Sequence, residues 1–173
     1  MASTSTNKQP LLVDRPLHQW TSLGSVACVT DDTNYSALSP GGCQLLVDCT
    51  GTDGAVIDSL YVVANQANTT QVVALFYLST APTPFSITTD NTILVTSIDV
   101  GSALAGERSI APLPPLSVPV PHVGAMVNPD ETNKKNTGIY IEANQLLYVG
   151  IDTAITNPSP ATRINAFAQG GYF

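Results

Sequence analysis

The sequence predicts an all-β protein: an antiparallel β-sandwich, with a jelly roll as the preferred topology, carrying an extended N-terminal arm. Three observations lead there. Apolar and polar residues alternate with a period of two in short segments such as Ile139-Tyr140-Ile141-Glu142 and Ile164 to Gln169, the signature of half-buried strands. Clusters of Gly, Asn, Asp and Pro recur about every 8–12 residues, a rhythm of sandwiches and barrels. No stretch shows a convincing amphipathic helix at a 3.6-residue period.

Taken in order, Met1 to Gln9 is small and polar. Pro10 to Trp20 mixes Leu11, Leu12, Val13, Leu17 and Trp20 with two prolines and has no clean period. Residues 1–20 therefore read as an arm and 21–173 as a single sandwich domain. Proline removes a donor and blocks a helix interior, which holds the apolar part of the arm extended; its apolar residues are expected to pack either on their own sandwich, as a first strand, or on a neighbouring subunit. Strands are expected over Leu23 to Thr30, Gln44 to Cys49, Ala55 to Ala64, Gln71 to Leu78 and Thr92 to Val100. Within Gln44 to Cys49, alternation puts Leu45 and Val47 on one face and Leu46 on the other. The stretch QVVALFYL is apolar on both faces and is placed centrally, with Val72, Ala74, Phe76 and Leu78 sharing one side. Asn65-Gln66-Ala67-Asn68 turns the chain back before it. Ser102 to Glu107 could make one helical turn. Ala111 to Pro121 holds five prolines, including Pro114 and Pro115, and cannot be a central strand. The tail reads as a hairpin around Ala143-Asn144-Gln145, a loop at Asn157-Pro158-Ser159-Pro160, and a closing strand ending in Tyr172 and Phe173. An apolar residue there is expected to be docked.

Composition sets further bounds. One domain is the expectation for 173 residues. Hydrophobic residues make up 43% and charged residues 11%, so disorder driven by high charge is excluded. The net charge of −7 is the wrong sign for binding a phosphate backbone, and no nucleic-acid partner is expected. No apolar run is long enough for a membrane helix. The first ten residues lack the apolar core of a signal peptide, so the sequons at Asn34 and Asn68 are not expected to be used. Three cysteines do not make a disulfide framework. Cys43 and Cys49 lie roughly 20 Å apart if they share a strand. Cys28 could meet either across strands; the alternative is three buried free thiols, which fits assembly in a cytoplasm.

The search for chemistry is mostly negative. His18 and His122 have no partner at a metal or catalytic spacing. Asp48-Cys49-Thr50-Gly51 approaches an aspartic-protease signature but has an insertion and no second half. Asp48, Thr50, Asp53 and Asp58 could approach a calcium ion, without the glycine that an EF-hand loop requires; turn-forming Asp is the simpler reading. Trp20, Tyr35, Tyr61, Tyr77, Tyr140, Tyr148 and Tyr172 could supply a sugar-stacking platform, although only 6% of residues are aromatic. No catalytic, metal or cofactor residue is assigned, and the chain is not expected to be an enzyme.

A resemblance adds to this reading. Ile57, Ser59, Leu60, Val62 and Ala64, leading through an Asn/Thr turn to an apolar strand, are similar to a segment of small structural proteins of tailed bacteriophages. So are Leu147, Val149 and Gly150, and the closing Ala166, Phe167, Gly170, Gly171 and Phe173. The resemblance covers roughly 45 residues and carries over no catalytic position. It implies a non-enzymatic virion component: a decoration (cement) protein that binds and stabilises a phage head shell. The partners implied are the major capsid protein and further copies of the chain, as a homotrimer, on the capsid exterior after assembly in the host cytoplasm. The interface expected for this role is Leu11, Leu12, Val13, Leu17, Trp20, Pro114 and Pro115. The alternative is a tail or fibre module that binds host surface carbohydrate.

Overall fold

A computed structural model describes residues 14–23, 28, 43–65, 72–80, 91–100, 106–110, 113, 138–154 and 164–173. These form nine strands and, among the described residues, no helix. They are β1 (Arg15–Ser22), β2 (Gln44–Asp48), β3 (Gly54–Ala64), β4 (Val73–Ser79), β5 (Thr92–Asp99), β6 (Arg108–Ile110), β7 (Ile139–Glu142), β8 (Leu146–Ile151) and β9 (Ile164–Tyr172). One sheet has the order β1-β9-β3-β6, with β7 also paired to β3; the other has the order β2-β8-β4-β5. All pairings are antiparallel. The two sheets pack face to face as a β-sandwich around one large apolar core.

The period of two decides which side chains enter that core. Leu60, Val62 and Ala64 of β3 face inward beside Ile164, Ala166 and Ala168 of β9. The second sheet answers with Leu147, Val149 and Ile151 of β8, and with Ala74 and Phe76 of β4. Strand β4 lies between β8 and β5, as its two apolar faces suggested. Val72, Ala74, Phe76 and Leu78 share the core side, while Leu75 and Tyr77 belong to a second cluster with Cys28, Cys43, Leu146 and Tyr148.

The structure corrects several local expectations. Residues 15–20, read as arm, belong to β1, which pairs along its whole length with β9 from Arg15↔Tyr172 to Ser22↔Asn165. Residues 1–13 lie outside the described part, as does most of 23–30 and of the helical turn considered near 102–107. In β2 the register shifts between Leu45 and Val47. A bulge of this kind sets two residues against one and re-aims a side chain. Leu46 and Val47 therefore both enter the core and Leu45 is left exposed, in place of simple alternation.

The tail hairpin is also corrected. Strand β7 pairs with β3, whereas β8 pairs with β2 on one edge and β4 on the other. With both edges of β8 taken, β7 cannot pair with it, and the connection crosses between sheets. Asn144, at φ 64°, takes the left-handed conformation that the corner needs. Its N–H donates to the Cys49 carbonyl at 3.1 Å, and the Cys49 N–H donates to the Gln145 carbonyl at 3.2 Å. The β2-to-β3 connection crosses at the same corner. Strands β3 and β4, read as joined by a simple turn, likewise lie in different sheets. Phe173 docks on the corner, donating from its N–H to the Gly54 carbonyl at 3.0 Å.

Cysteine usage differs from the free-thiol expectation. Cys28 and Cys43 form a disulfide, with Cα atoms 5.2 Å apart. The Cys28 N–H donates to the Ile151 carbonyl at 2.7 Å, which ties this segment to β8. Cys49 is the free, buried cysteine among the described residues. Burial, partly offset by a hydrogen bond with Thr52, pushes its thiol pKa up and disfavours the reactive thiolate.

The second cluster gives a pH prediction. Burial, followed by the nearby Asp48 charge, pushes the Tyr148 phenol up to about 12 from 10.0. The folded state then favours the neutral phenol, so the stabilisation is fully present below pH 10 and is lost as pH rises towards 12. Alkaline titration of unfolding, read by circular dichroism, should show a steep loss of stability in that window. Tyr148→Phe should flatten it; an unchanged alkaline limb would assign the loss to other groups.

Candidate binding surface

The outward positions of the first sheet fall into rows across its strands. Trp20 of β1 stands opposite Phe167 of β9, Phe167 opposite Tyr61 of β3, and Tyr61 opposite Ile110 of β6. Each occupies the strand phase opposite to its core-facing neighbours. The result is one apolar row crossing four strands. Trp20 is 63% exposed and Ile110 57% exposed, while Tyr61 and Phe167 are half-buried.

The middle of the row is closely packed. The Tyr61 and Phe167 rings stack with centroids 4.8 Å apart and planes 5° from parallel, the kind of cross-strand pair that fixes sheet register. The Arg108 guanidinium lies 5.3 Å from the Tyr61 ring centroid. Polar groups border the row on both sides. Gln169 Nε2 donates to Tyr61 Oη at 3.5 Å. On the other side Ser22 Oγ donates to Asn165 Oδ1 at 2.7 Å, and Asn165 Nδ2 donates to Asn65 Oδ1 at 2.8 Å. His18 stands opposite Gln169 and is exposed.

The outer face of the second sheet is different. Tyr77, Leu146 and Tyr148 point that way and are buried together with the Cys28–Cys43 bridge. Among the described residues the centre of this face is thus covered, with Leu45 and Leu94 exposed at its two edges, whereas the row on the first sheet is open at Trp20 and Ile110.

Of the sequence-derived interface residues, Leu17 and Trp20 are described, and they lie on opposite faces of β1. Leu17, expected at an interface, is 2% exposed and belongs to the core of its own domain. Trp20 is on the open face. Leu11, Leu12, Val13, Pro114 and Pro115 lie outside the described residues, as do His122 and Tyr35. Of the tyrosines considered for sugar stacking, Tyr61 lies in the row, Tyr77 and Tyr148 are buried, and Tyr140 sits at the tilted contact with Phe173. Tyr172 is buried with the Arg15 guanidinium 4.5 Å from its ring centroid. Asp48 works as a turn former: its Oδ1 accepts from the Thr50 N–H at 2.8 Å. Among the described residues no group of three or more His, Cys, Asp or Glu is placed to hold a metal ion, and no helix is long and apolar enough to cross a membrane.

The row's other members, Phe167 and Ile110, and the neighbouring Arg108 were not singled out as surface residues from sequence. One signal for Phe167 was present. In Ile164 to Gln169 it falls in the outward phase with Asn165 and Gln169, where a large aromatic is unusual. Nothing local in Arg108-Ser109-Ile110 reveals that β6 extends the row, because that depends on pairing with β3.

Comparison with protein-family models, with curated proteins and with solved structures found no match.

Proposed function

We propose that the chain is a non-enzymatic jelly-roll structural protein of a virion, and that it decorates and stabilises a phage head shell. The observation that carries this reading is the strand order. Strands β1, β9, β3 and β6 face β2, β8, β4 and β5, so most successive strands alternate between sheets. That order supports the jelly-roll reading, an architecture that recurs in viral capsid and lectin domains. The resemblance of the β3 and β9 segments to phage structural proteins points the same way. A fold hosts many functions, so the step from fold to decoration rests on that analogy. The partners in this reading are the major capsid protein and further copies of the chain, in a closed homotrimer.

In this reading residues 1–13, with Leu11, Leu12 and Val13, carry attachment to the shell. The pairing of β1 defines the right truncation. Removing 1–20 would delete most of an edge strand and buried Leu17, whereas removing 1–13 leaves β1 whole. The shortened protein is expected to melt close to the full chain and yet fail to bind purified heads that lack the protein. The full chain is expected to bind those heads and to raise their disassembly temperature. Antibody label found on tails, or full-length protein that leaves heads bare, would overturn the proposal.

A further inference from the structure

We infer that the open face of the first sheet binds a neutral glycan, a short chain of hexopyranose units laid along the row from Trp20 to Ile110. The argument begins with size. Three strand spacings of about 4.8 Å by a few residues along each strand give roughly 200 Å² of row and border. A stable protein partner or second copy needs about 800 Å² on each side. A narrow ligand fits this face better than a globular one.

Charge narrows the chemistry. The chain carries 13 Asp and Glu against 6 Lys and Arg. Asp58, exposed at the β3 bulge, stands beside the row and Glu142 of β7 lies further along the sheet, while the outward positions of β1, β9 and β6, with Ser59, Tyr61 and Val63 of β3, carry no carboxylate. The one guanidinium there, on Arg108, is already over the Tyr61 ring. A near-neutral patch on an acidic protein suits an uncharged occupant, since an anionic chain would meet the protein's overall negative field.

The pattern of groups supplies the rest. A hexopyranose has an apolar C–H face and a rim of hydroxyls. Trp20 offers a large exposed ring for the apolar face. The stacked Tyr61–Phe167 pair forms a firm floor beside it, with the Tyr61 hydroxyl at its edge. Side-chain amides of Gln169 and Asn165 border the row where hydroxyls of a bound chain would lie. They are already held by hydrogen bonds to Tyr61 and to Ser22 and Asn65, so ordering them on binding costs little. Successive strands are spaced close to the length of one sugar unit, so the row repeats in step with the ligand.

Trp20 is the only tryptophan in the chain, and its fluorescence reports directly on the face. The full-length protein is titrated with cellohexaose, laminarihexaose, maltohexaose and mannohexaose, and with polygalacturonate as an acidic arm. At least one neutral oligosaccharide is expected to shift Trp20 emission to shorter wavelength with a Kd at or below about 1 mM. For Trp20→Ala, binding is followed by calorimetry. Its affinity should fall at least about tenfold with an unchanged melting temperature, because the side chain is exposed on an edge strand. Gln169→Ala is expected to weaken binding without moving the unliganded emission. No neutral oligosaccharide binding at about 10 mM, binding only to polygalacturonate, or full affinity in Trp20→Ala would each overturn the inference. Head binding is not needed for any of these measurements, so they stand apart from the decoration assay.

Discussion

Gly170→Ala is expected to prevent normal folding or to cost about 4 kcal/mol or more, the range reserved for severe, identifiable defects. Gly170 of β9 stands opposite Ile57 of β3, where the β3 register shifts between Ile57 and Ser59. The bulge bends β3 towards its neighbour. A Cβ on residue 170 would overlap the Val56 carbonyl and crowd the Val56 carbonyl carbon and the Ile57 Cα. These are backbone atoms of a central pairing, so no rotamer change relieves the overlap; two strands would have to separate. Gly51→Ala makes the comparison. Gly51 has φ +71° with nothing within 4 Å of an added Cβ, so only the left-handed conformation is penalised, at about 1–2 kcal/mol. Urea unfolding of both variants checks the contrast. A Gly170→Ala protein with the same midpoint as Gly51→Ala would show that β9 has room to move.

Phe76→Ala is expected to lower stability by about 3–5 kcal/mol. Phe76 is fully buried on β4 in the main core, next to β8 at Val149 and next to β5 at Thr96. Truncation removes the ring and leaves a cavity between two sheets whose backbones are held by paired strands on both sides, so little collapse can refill it. Denaturant unfolding should show the lower midpoint with an unchanged slope. A midpoint shift under about 1 kcal/mol would place the ring in a softer part of the core.

The extent to which this fold was legible follows from the kind of information each feature needs. Strand existence was readable because burial on one face imposes a period of two on the chain itself. Hence Ala55 to Ala64, Gln71 to Leu78 and Thr92 to Val100 appear close to their structural bounds as β3, β4 and β5. The central place of β4 was readable because a strand with apolar residues on both faces must be covered twice. Asn144 announced a turn.

The open row was legible only in pieces. Trp20 and Tyr61 were visible as aromatics, and Phe167 as one in an outward phase, but their alignment is a property of register between strands far apart in sequence. Register is set by hydrogen bonds among β1, β9, β3 and β6 and by the β3 bulge, none of which a local pattern encodes. For the same reason Leu17 was placed at an interface: its inward direction is decided by β1 joining β9.

By itself, the sequence determined an all-β chain, the approximate location of many strands, the faces of β4 and β9, and a surface poor in cations. Alternation and turn chemistry are local and survive without a partner strand. The tertiary structure alone decided that β7 and β8 separate into different sheets, that Cys28 meets Cys43, that β1 closes an edge of the first sheet, and that an aromatic row forms on its open face. Each of these is a choice among competing partners. Local residue pattern leaves those choices open, and they are resolved only when both sheets bury their apolar faces against each other.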